Sequence, residues 1–248
     1  MDHTGRFDGK GEIYAKARPK YAAGLFDSLK QMLELKEGSV FADVGSGTGI
    51  FTEQLLERGY RVFAVEPNSD MRRKAEERLS GNRNFVSVNG SDSYMNIPSG
   101  SVECVTAAQA FHWFDAAAFR RECQRVLVPG GAVVIVYNSR VEDAGQTRAL
   151  ADLRRRYAPG FHGFSNGISD EACRDFFGGE CRVFSTDNTQ TYDRRGYVDR
   201  ALSSSYSLKE GDDGYAEYIG EINAIFDAFA VDGVMDVPTR TVAYVGRV

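Results

Sequence analysis

The sequence predicts an α/β fold, a mostly parallel sheet whose strands are joined by crossover helices. Three observations carry that expectation. Short apolar runs alternate with helical periods through the first half of the chain, as repeated strand–helix units require. The first apolar run passes directly into the glycine cluster Gly45-Ser46-Gly47-Thr48-Gly49, and a helical period starts at once after it. The second run ends in a single acid, Glu66, with Pro67 immediately behind it.

Arg18 and Pro19 lead into a helix over 21–35, since proline suits a first helical position. Residues 40–44 read as a fully buried strand. The helix over 50–58 sets Phe51 and Leu55 four apart with Leu56 beside them, and Gly59 stops it. A second strand covers 61–66. Pro67 breaks its ladder, Asn68 or Ser69 supplies a cap, and a charged surface helix runs over 71–79 until Gly81. Strands follow at 85–88, 102–107 and 133–137. Between the last two lies a helix over 116–127, whose Phe119, Cys123 and Val126 or Leu127 face the sheet. It ends at the turn VPGG, 128–131.

Beyond Arg140 the regularity fades. A helix is expected over 144–157, an irregular glycine- and aromatic-rich stretch over 158–179, and a helix over 215–230 with Tyr218, Ile222, Ile225 and Phe229 at helical steps. Alternation over 183–191 and 239–245 adds two strands, for seven in all. No linker and no repeat interrupts the chain, so residues 1–248 read as a single domain. Its parts are an N-terminal lid and helix (1–36), a cofactor-binding half (37–140), and a substrate-side cap with the last strands (141–248).

Composition narrows the function. With 42% hydrophobic and 26% charged residues over 248 positions, disordered and fibrous classes drop out. A net charge of −5 argues against a general nucleic-acid binder, which needs excess Lys and Arg to displace counterions. The opening MDHTGRFDGKGEIYAKARPKY is polar and carries both charge signs, so neither a leader nor a membrane anchor is expected. Cys104, Cys123, Cys173 and Cys181 stand far apart with no CxxC pair and no histidine at ligand spacing. They read as reduced thiols of a cytoplasmic protein without a metal.

The glycine loop names the kind of ligand. A strand ending in Asp43 and running into glycines ahead of a helix brings backbone amides and a positive helix end to the carboxyl edge of the sheet, where ligands collect. Glu66 ends the neighbouring strand, where a carboxylate can accept both hydroxyls of a ribose. A nucleoside-bearing cofactor is expected. Dinucleotide folds use GxGxxG, whereas Gly45, Gly47 and Gly49 stand as GxGxG, which speaks against a nucleotide-dependent oxidoreductase.

The segments FADVGSGTG, VFAVEPNSDM and GSDSYMNIPSGSVECVTAAQAFHWF resemble, in order and spacing over about residues 7–138, the successive motifs of the class I S-adenosylmethionine-dependent methyltransferases. The resemblance implies a Rossmann-like three-layer sandwich with a mostly parallel seven-stranded sheet, an antiparallel last strand and a helical cap. It also implies S-adenosyl-L-methionine as cofactor and S-adenosyl-L-homocysteine as product. By similarity Asp43, Gly45, Ser46 and Gly47 meet the methionyl moiety, Glu66 with Pro67 meets the ribose, Asp92 reads the adenine amino group with Ser93 beside the ring, and Met71 lines one adenine face. Tyr14 and Arg18 resemble a lid pair, the arginine reaching the cofactor carboxylate. A helix entry with an exposed arginine is the alternative.

AQAFHWFD, 108–115, resembles the small-molecule branch of that family, the trans-aconitate methyltransferase-like and ubiquinone-menaquinone C-methyltransferase-like proteins. Gln109 and Ala110 then edge the cofactor, and Phe111, His112, Trp113 and Phe114 form the acceptor pocket. His112 is either the base that a phenol or amine acceptor requires, or a residue that only orients its loop. Arg154, Arg155 and Arg156 read as a solvated face, with contact to an acceptor phosphate or to RNA as the alternative. ALSSSYS, 201–207, resembles a serine-rich segment on the substrate side, with a polar helix end as the alternative, and Glu103 replaces a common aspartate without evident chemistry. The expected activity is methyl transfer to a small molecule by a monomer or homodimer that engages neither nucleic acid nor membrane. An RNA acceptor and a catalytically silent regulatory subunit stand as the alternatives.

Overall fold

Residues 19–164, 169–204 and 206–248 are described by a computed structural model. After α1 (Ala23–Met32), the strands β1 (Val40–Val44), β2 (Arg61–Val65), β3 (Phe85–Val88), β4 (Val102–Ala108) and β5 (Leu127–Arg140) alternate with helices. Those helices are α2 (Ile50–Leu56), α3 (Ser69–Leu79) and α4 (Ala116–Val126). With β6 (Arg182–Asp187) and β9 (Thr239–Gly246) the strands form one seven-stranded sheet in the order β3-β2-β1-β4-β5-β9-β6. Strands β1 to β5 pair in parallel, and β9 runs antiparallel to both of its neighbours. The fold expected from the sequence is therefore present, antiparallel last strand included.

The two faces of the sheet read directly off the strand period of two. Ala42 and Val44 of β1, Val105 and Ala107 of β4, and Val133 and Ile135 of β5 pack on Phe119, Cys123 and Val126 of α4. The same layer takes Cys173 and Phe176 from α6 (Asp170–Phe176). The residues between them, Phe41, Cys104, Val134 and Val136, pack on Leu25 and Phe26 of α1, Phe51 and Leu55 of α2, and Ala75 and Leu79 of α3. A third core lies apart from both. It joins α5 (Gly145–Tyr157), α7 (Arg194–Leu202) and α8 (Tyr215–Phe229) through Leu150, Tyr197, Tyr218, Ile222 and Phe226. Met235 and Val237 of β8 (Val234–Val237) complete it, and β8 pairs with β7 (Gln190–Asp193) in a separate two-stranded sheet. The cap is thus mixed α/β rather than purely helical.

Several boundaries differ from the sequence reading. Helix α1 is shorter than 21–35, and Glu34 beyond its end has φ +52°. Asn68 is the cap of α3, its Oδ1 accepting from Asp70 N at 3.1 Å and Met71 N at 3.0 Å, so the helix starts two residues earlier than expected. Strand β5 begins at Leu127, because the turn VPGG interrupts the ladder with β4 without ending it. The stretch 158–179 contains α6, capped by Ser169. The alternation over 183–191 divides into β6 and β7. Arg154 is buried, with Nη2 donating to Ala201 O at 3.1 Å, while Arg155 and Arg156 are exposed, so the basic run is not a uniform solvated face. Glu103 accepts hydrogen bonds from Val40 N and Ser39 Oγ, tying β4 to the start of β1. Among the described residues no helix is long and apolar enough to cross a membrane.

Candidate active site

The strand order reverses between β1 and β4, which leaves a crevice at their carboxyl ends. A cavity of about 380 Å³ opens there. Its floor is the glycine loop, and two glycines shape it for different reasons. At Gly45 (φ +67°) a Cβ would stand 2.7 Å from Ala110 Cβ and 3.2 Å from Phe114 Cζ, so the loop and the segment after β4 touch without room for a methyl group. Gly47 (φ +56°) has nothing within 4 Å of the Cβ position and lines the cavity.

The loop's amides are largely committed inside the protein. Gly45 N and Ser46 N donate to Val65 O at 2.9 and 3.2 Å, and Gly49 N donates to Ser46 O at 2.9 Å. Gly47 N donates to Glu66 Oε2 at 2.8 Å, while Asn68 N donates to Glu66 Oε1 at 2.9 Å. What the loop offers a ligand is open space over Gly47 beside a carboxylate that two amides hold in place. Burial pushes the Glu66 carboxyl above its ordinary range, against the lowering effect of those two amides and of Arg72.

Asp43, 1% exposed, is the last residue but one of β1, beneath the loop. Thr52 Oγ1 donates to its Oδ2 at 2.6 Å and Thr106 Oγ1 to its Oδ1 at 2.9 Å. Its pKa is pushed up to about 6, chiefly by desolvation, with the two threonine hydroxyls opposing. Met71, Pro67 and Ser46 line the same cavity. On the far side of Glu66, Asp92 and Ser93 line it as well, and Asp92 Oδ2 accepts from Asp115 N at 2.9 Å. Asp115 in turn caps α4, accepting from Ala117 N and Ala118 N at 3.0 and 2.9 Å. Asp92 therefore fixes the loop that carries the aromatic segment.

That segment is divided. Gln109, at φ +56°, turns the chain off β4 and donates from Nε2 to Asn138 O at 3.0 Å. Gln109, Ala110, Trp113 and Phe114 line the cavity. Phe111 and His112 are not among its lining residues, contrary to the pocket expected from the sequence. Phe111 is buried in the sheet-side core, its ring 5.0 Å from Phe176 and 5.9 Å from Phe119. The His112 ring lies 4.7 Å from that of Trp113 and 6.1 Å from that of Tyr137. The one-turn 3-10 helix Phe111–Trp113 is the physical reason, since its tight winding sends successive side chains to different sides of the segment. Tyr14 and Arg18 lie outside the described residues. The described part of the serine-rich segment braces the cap: Ser207 Oγ donates to Ala201 O at 2.6 Å, and Ser203 Oγ donates to Arg200 O at 2.9 Å.

The opposite wall was not legible in the sequence. Asn138 and Arg140 at the end of β5, Gln190 and Tyr192 of β7 and its approach, Arg200 of α7, and Val237 and Thr239 near β9 complete the cavity. Only their common position at the carboxyl edge joins them. The four cysteines take no part: Cys104, Cys123 and Cys173 are buried and burial pushes their thiols up. Among the described residues no group of three or more His, Cys, Asp or Glu is placed to hold a metal.

Residues 42–135, which carry β1 to β5, match the family model described as a methyltransferase domain. An uncharacterised methyltransferase of Geobacillus kaustophilus is 31% identical over 169 residues, covering 66% of this chain and 75% of that one. The chain belongs to the class I S-adenosylmethionine-dependent methyltransferases. An uncharacterised methyltransferase of Mycobacterium tuberculosis is 34% identical over 140 residues, or 56% of this chain. The chain spans about half, 55%, of that relative's length. Among solved structures, a protein described as a type II methyltransferase of Anaeromyxobacter dehalogenans shares the fold with a TM-score of 0.66 at 21% identity, over 93% of this chain and 97% of that one. A SAM-dependent methyltransferase of Geobacter sulfurreducens in complex with S-adenosyl-L-homocysteine shares it with a TM-score of 0.51 at 13% identity, over 95% and 98%.

Proposed function

We propose that this methyltransferase transfers a methyl group from S-adenosyl-L-methionine to a small-molecule acceptor by in-line displacement at the crevice between β1 and β4. One observation carries the reading: Gly47, Glu66 and Asp92, which follow the ends of β1, β2 and β3, line one cavity with Met71 of α3, Trp113 and Phe114. The fit to the cofactor rests on the space over Gly47, which a Cβ would fill, beside a carboxylate already oriented by two amides. Glu66 accepts the ribose hydroxyls with lone pairs its amide partners leave available. Asp92 and Ser93 address the adenine edge, and Met71 packs on its face. Asp43, Gly45 and Ser46 line the methionyl side. Gln109 and Ala110 edge the cofactor.

The bound cofactor supplies an electrophilic methyl group on a sulfonium. The protein's part is to hold the acceptor atom in line with it and to exclude water, which Trp113 and Phe114 do from the wall. With its ring 4.7 Å from that of Trp113 and absent from the cavity lining, His112 serves by positioning Trp113 rather than as a base. A cavity of about 380 Å³ is the size of a small-molecule site and supports a small-molecule acceptor.

The test is a transfer assay with methyl-labelled S-adenosylmethionine against panels of small carboxylates, phenols and amines, with transfer RNA as a further arm. Label entering a small molecule, with less than a tenfold loss of kcat in His112→Gln, is the expected result. Label entering RNA alone, or no transfer despite bound cofactor, would overturn it.

A further inference from the structure

The cavity is electrically divided. Asp43, Glu66 and Asp92 stand on its β1–β3 side, and Arg140 and Arg200 stand on its cap side. Arg140 is the last residue of β5, opposite Thr239 in the ladder with β9, and Arg200 comes from α7. A third guanidinium, Arg154 of α5, lies behind them in the cap core. Arg140 and Arg154 lie over the same ring, 4.9 and 5.0 Å from the Phe164 centroid.

The exposed arginines nearby have carboxylate partners: Arg155 with Asp152 at 2.5 Å, Arg194 with Asp227 at 2.5 Å, and Arg156 with Glu221. Among the described residues no carboxylate stands within ion-pair distance of Arg140 or Arg154. Burying the Arg140 and Arg154 guanidiniums with no carboxylate at ion-pair distance among the described residues is costly. Burial, then Arg200 and Arg154, lower the pKa of Arg140 to about 10. An ordinary structural arginine has no need of this arrangement, whereas a site that receives an anion does.

We propose that Arg140 and Arg200 hold an anionic group of the methyl acceptor, a carboxylate or a phosphate monoester, at the cap end of the cavity. This rests on the methyltransferase reading above and names its acceptor class. Tyr192, Val237 and Trp113 line the same cavity, so the acceptor we propose carries an apolar body beside its anion. The anion is an anchor and not the attacked atom, because two guanidiniums withdraw electron density from any oxygen they bind.

The test is calorimetric titration of the full chain with benzoate and phenyl phosphate against the neutral benzamide and phenol, each with and without S-adenosylhomocysteine. The wild type should prefer one of the anions at least tenfold over its neutral counterpart, the two arms separating carboxylate from phosphate. Arg140→Met should remove that preference, leave the affinity for S-adenosylhomocysteine within twofold, and melt no lower than the wild type. Arg140→Lys should recover part of the preference. Equal binding of charged and neutral probes would overturn the proposal. So would a tenfold loss of S-adenosylhomocysteine affinity in Arg140→Met, which would assign the arginine to the cofactor's own carboxylate, or a lower melting temperature, which would make it a structural prop. Failure of S-adenosylhomocysteine to bind the wild type, with anion preference intact, would count against the cofactor reading alone.

Discussion

At the scale of single residues, Asp43 shows how burial and function pull against each other. Its carboxyl is pushed up to about 6 in the folded protein, against about 3.9 for an ordinary aspartate, with desolvation the main cause. The sign follows from linkage. The folded protein holds this proton more tightly than the unfolded chain, so Asp43 costs stability as pH rises through the interval between the two values. From about pH 4.5 to about pH 7 the loss comes to about 2 kcal/mol. Asp43→Asn removes the titration, so urea unfolding at the two pH values should show the variant gaining about that much on the wild type at the higher pH. A difference between the proteins that does not change with pH would refute the buried, proton-holding carboxylate. Asp43, Glu66 and Asp92 were legible in the sequence because each ends or follows a strand in a parallel sheet. The sides to which Phe111 and His112 turn were not, because they depend on one turn of 3-10 helix that no periodicity announces.

At the scale of the element, the glycine loop separates a fold requirement from a ligand requirement. Gly45→Ala meets Ala110 Cβ at 2.7 Å and takes a positive φ, so strain and overlap add. It should destabilise by about 2 to 4 kcal/mol. Gly47→Ala has open space and only the backbone strain, about 1 kcal/mol, yet its methyl group enters the cavity. Chemical denaturation should rank Gly45→Ala as the more damaging. Calorimetry with S-adenosylhomocysteine should show at least a tenfold weaker complex for Gly47→Ala. Unchanged cofactor affinity in that variant would place the ligand elsewhere. The elements the sequence concealed are short ones. Helix α6, DEACRDF, buries only Cys173 and Phe176, too few apolar positions to set a period. Strands β6 and β7 read as one run because the chain turns at Asn188, whose Nδ2 donates to Lys20 O at 2.9 Å, Asn138 Oδ1 at 3.0 Å and Thr241 Oγ1 at 3.1 Å. Those partners come from three distant parts of the chain.

At the scale of the whole molecule, the first half was legible and the cap was not, for one physical reason. A parallel sheet is buried on both faces, so its strands are apolar throughout and its helices strongly amphipathic, and both patterns are local. The cap has its own core, assembled from α5, α7, α8 and β8 over large sequence separations, with polar residues left to wall the cavity. Arg154 looked like surface charge in the sequence because burial in the cap is a long-range property. Joining the two halves makes one crevice with an acidic end set by the first strands and a basic end made by Arg140 of β5 and Arg200 of the cap, and the methyl-transfer reading depends on a nucleoside lying at the acidic end. The most direct measurement is a crystal structure of the full chain with S-adenosylhomocysteine. The ribose hydroxyls should lie within hydrogen-bond distance of the Glu66 carboxylate, with the adenine between Met71 and Ser93. A nucleoside bound away from Glu66, or saturating ligand that leaves this crevice to water, would contradict it.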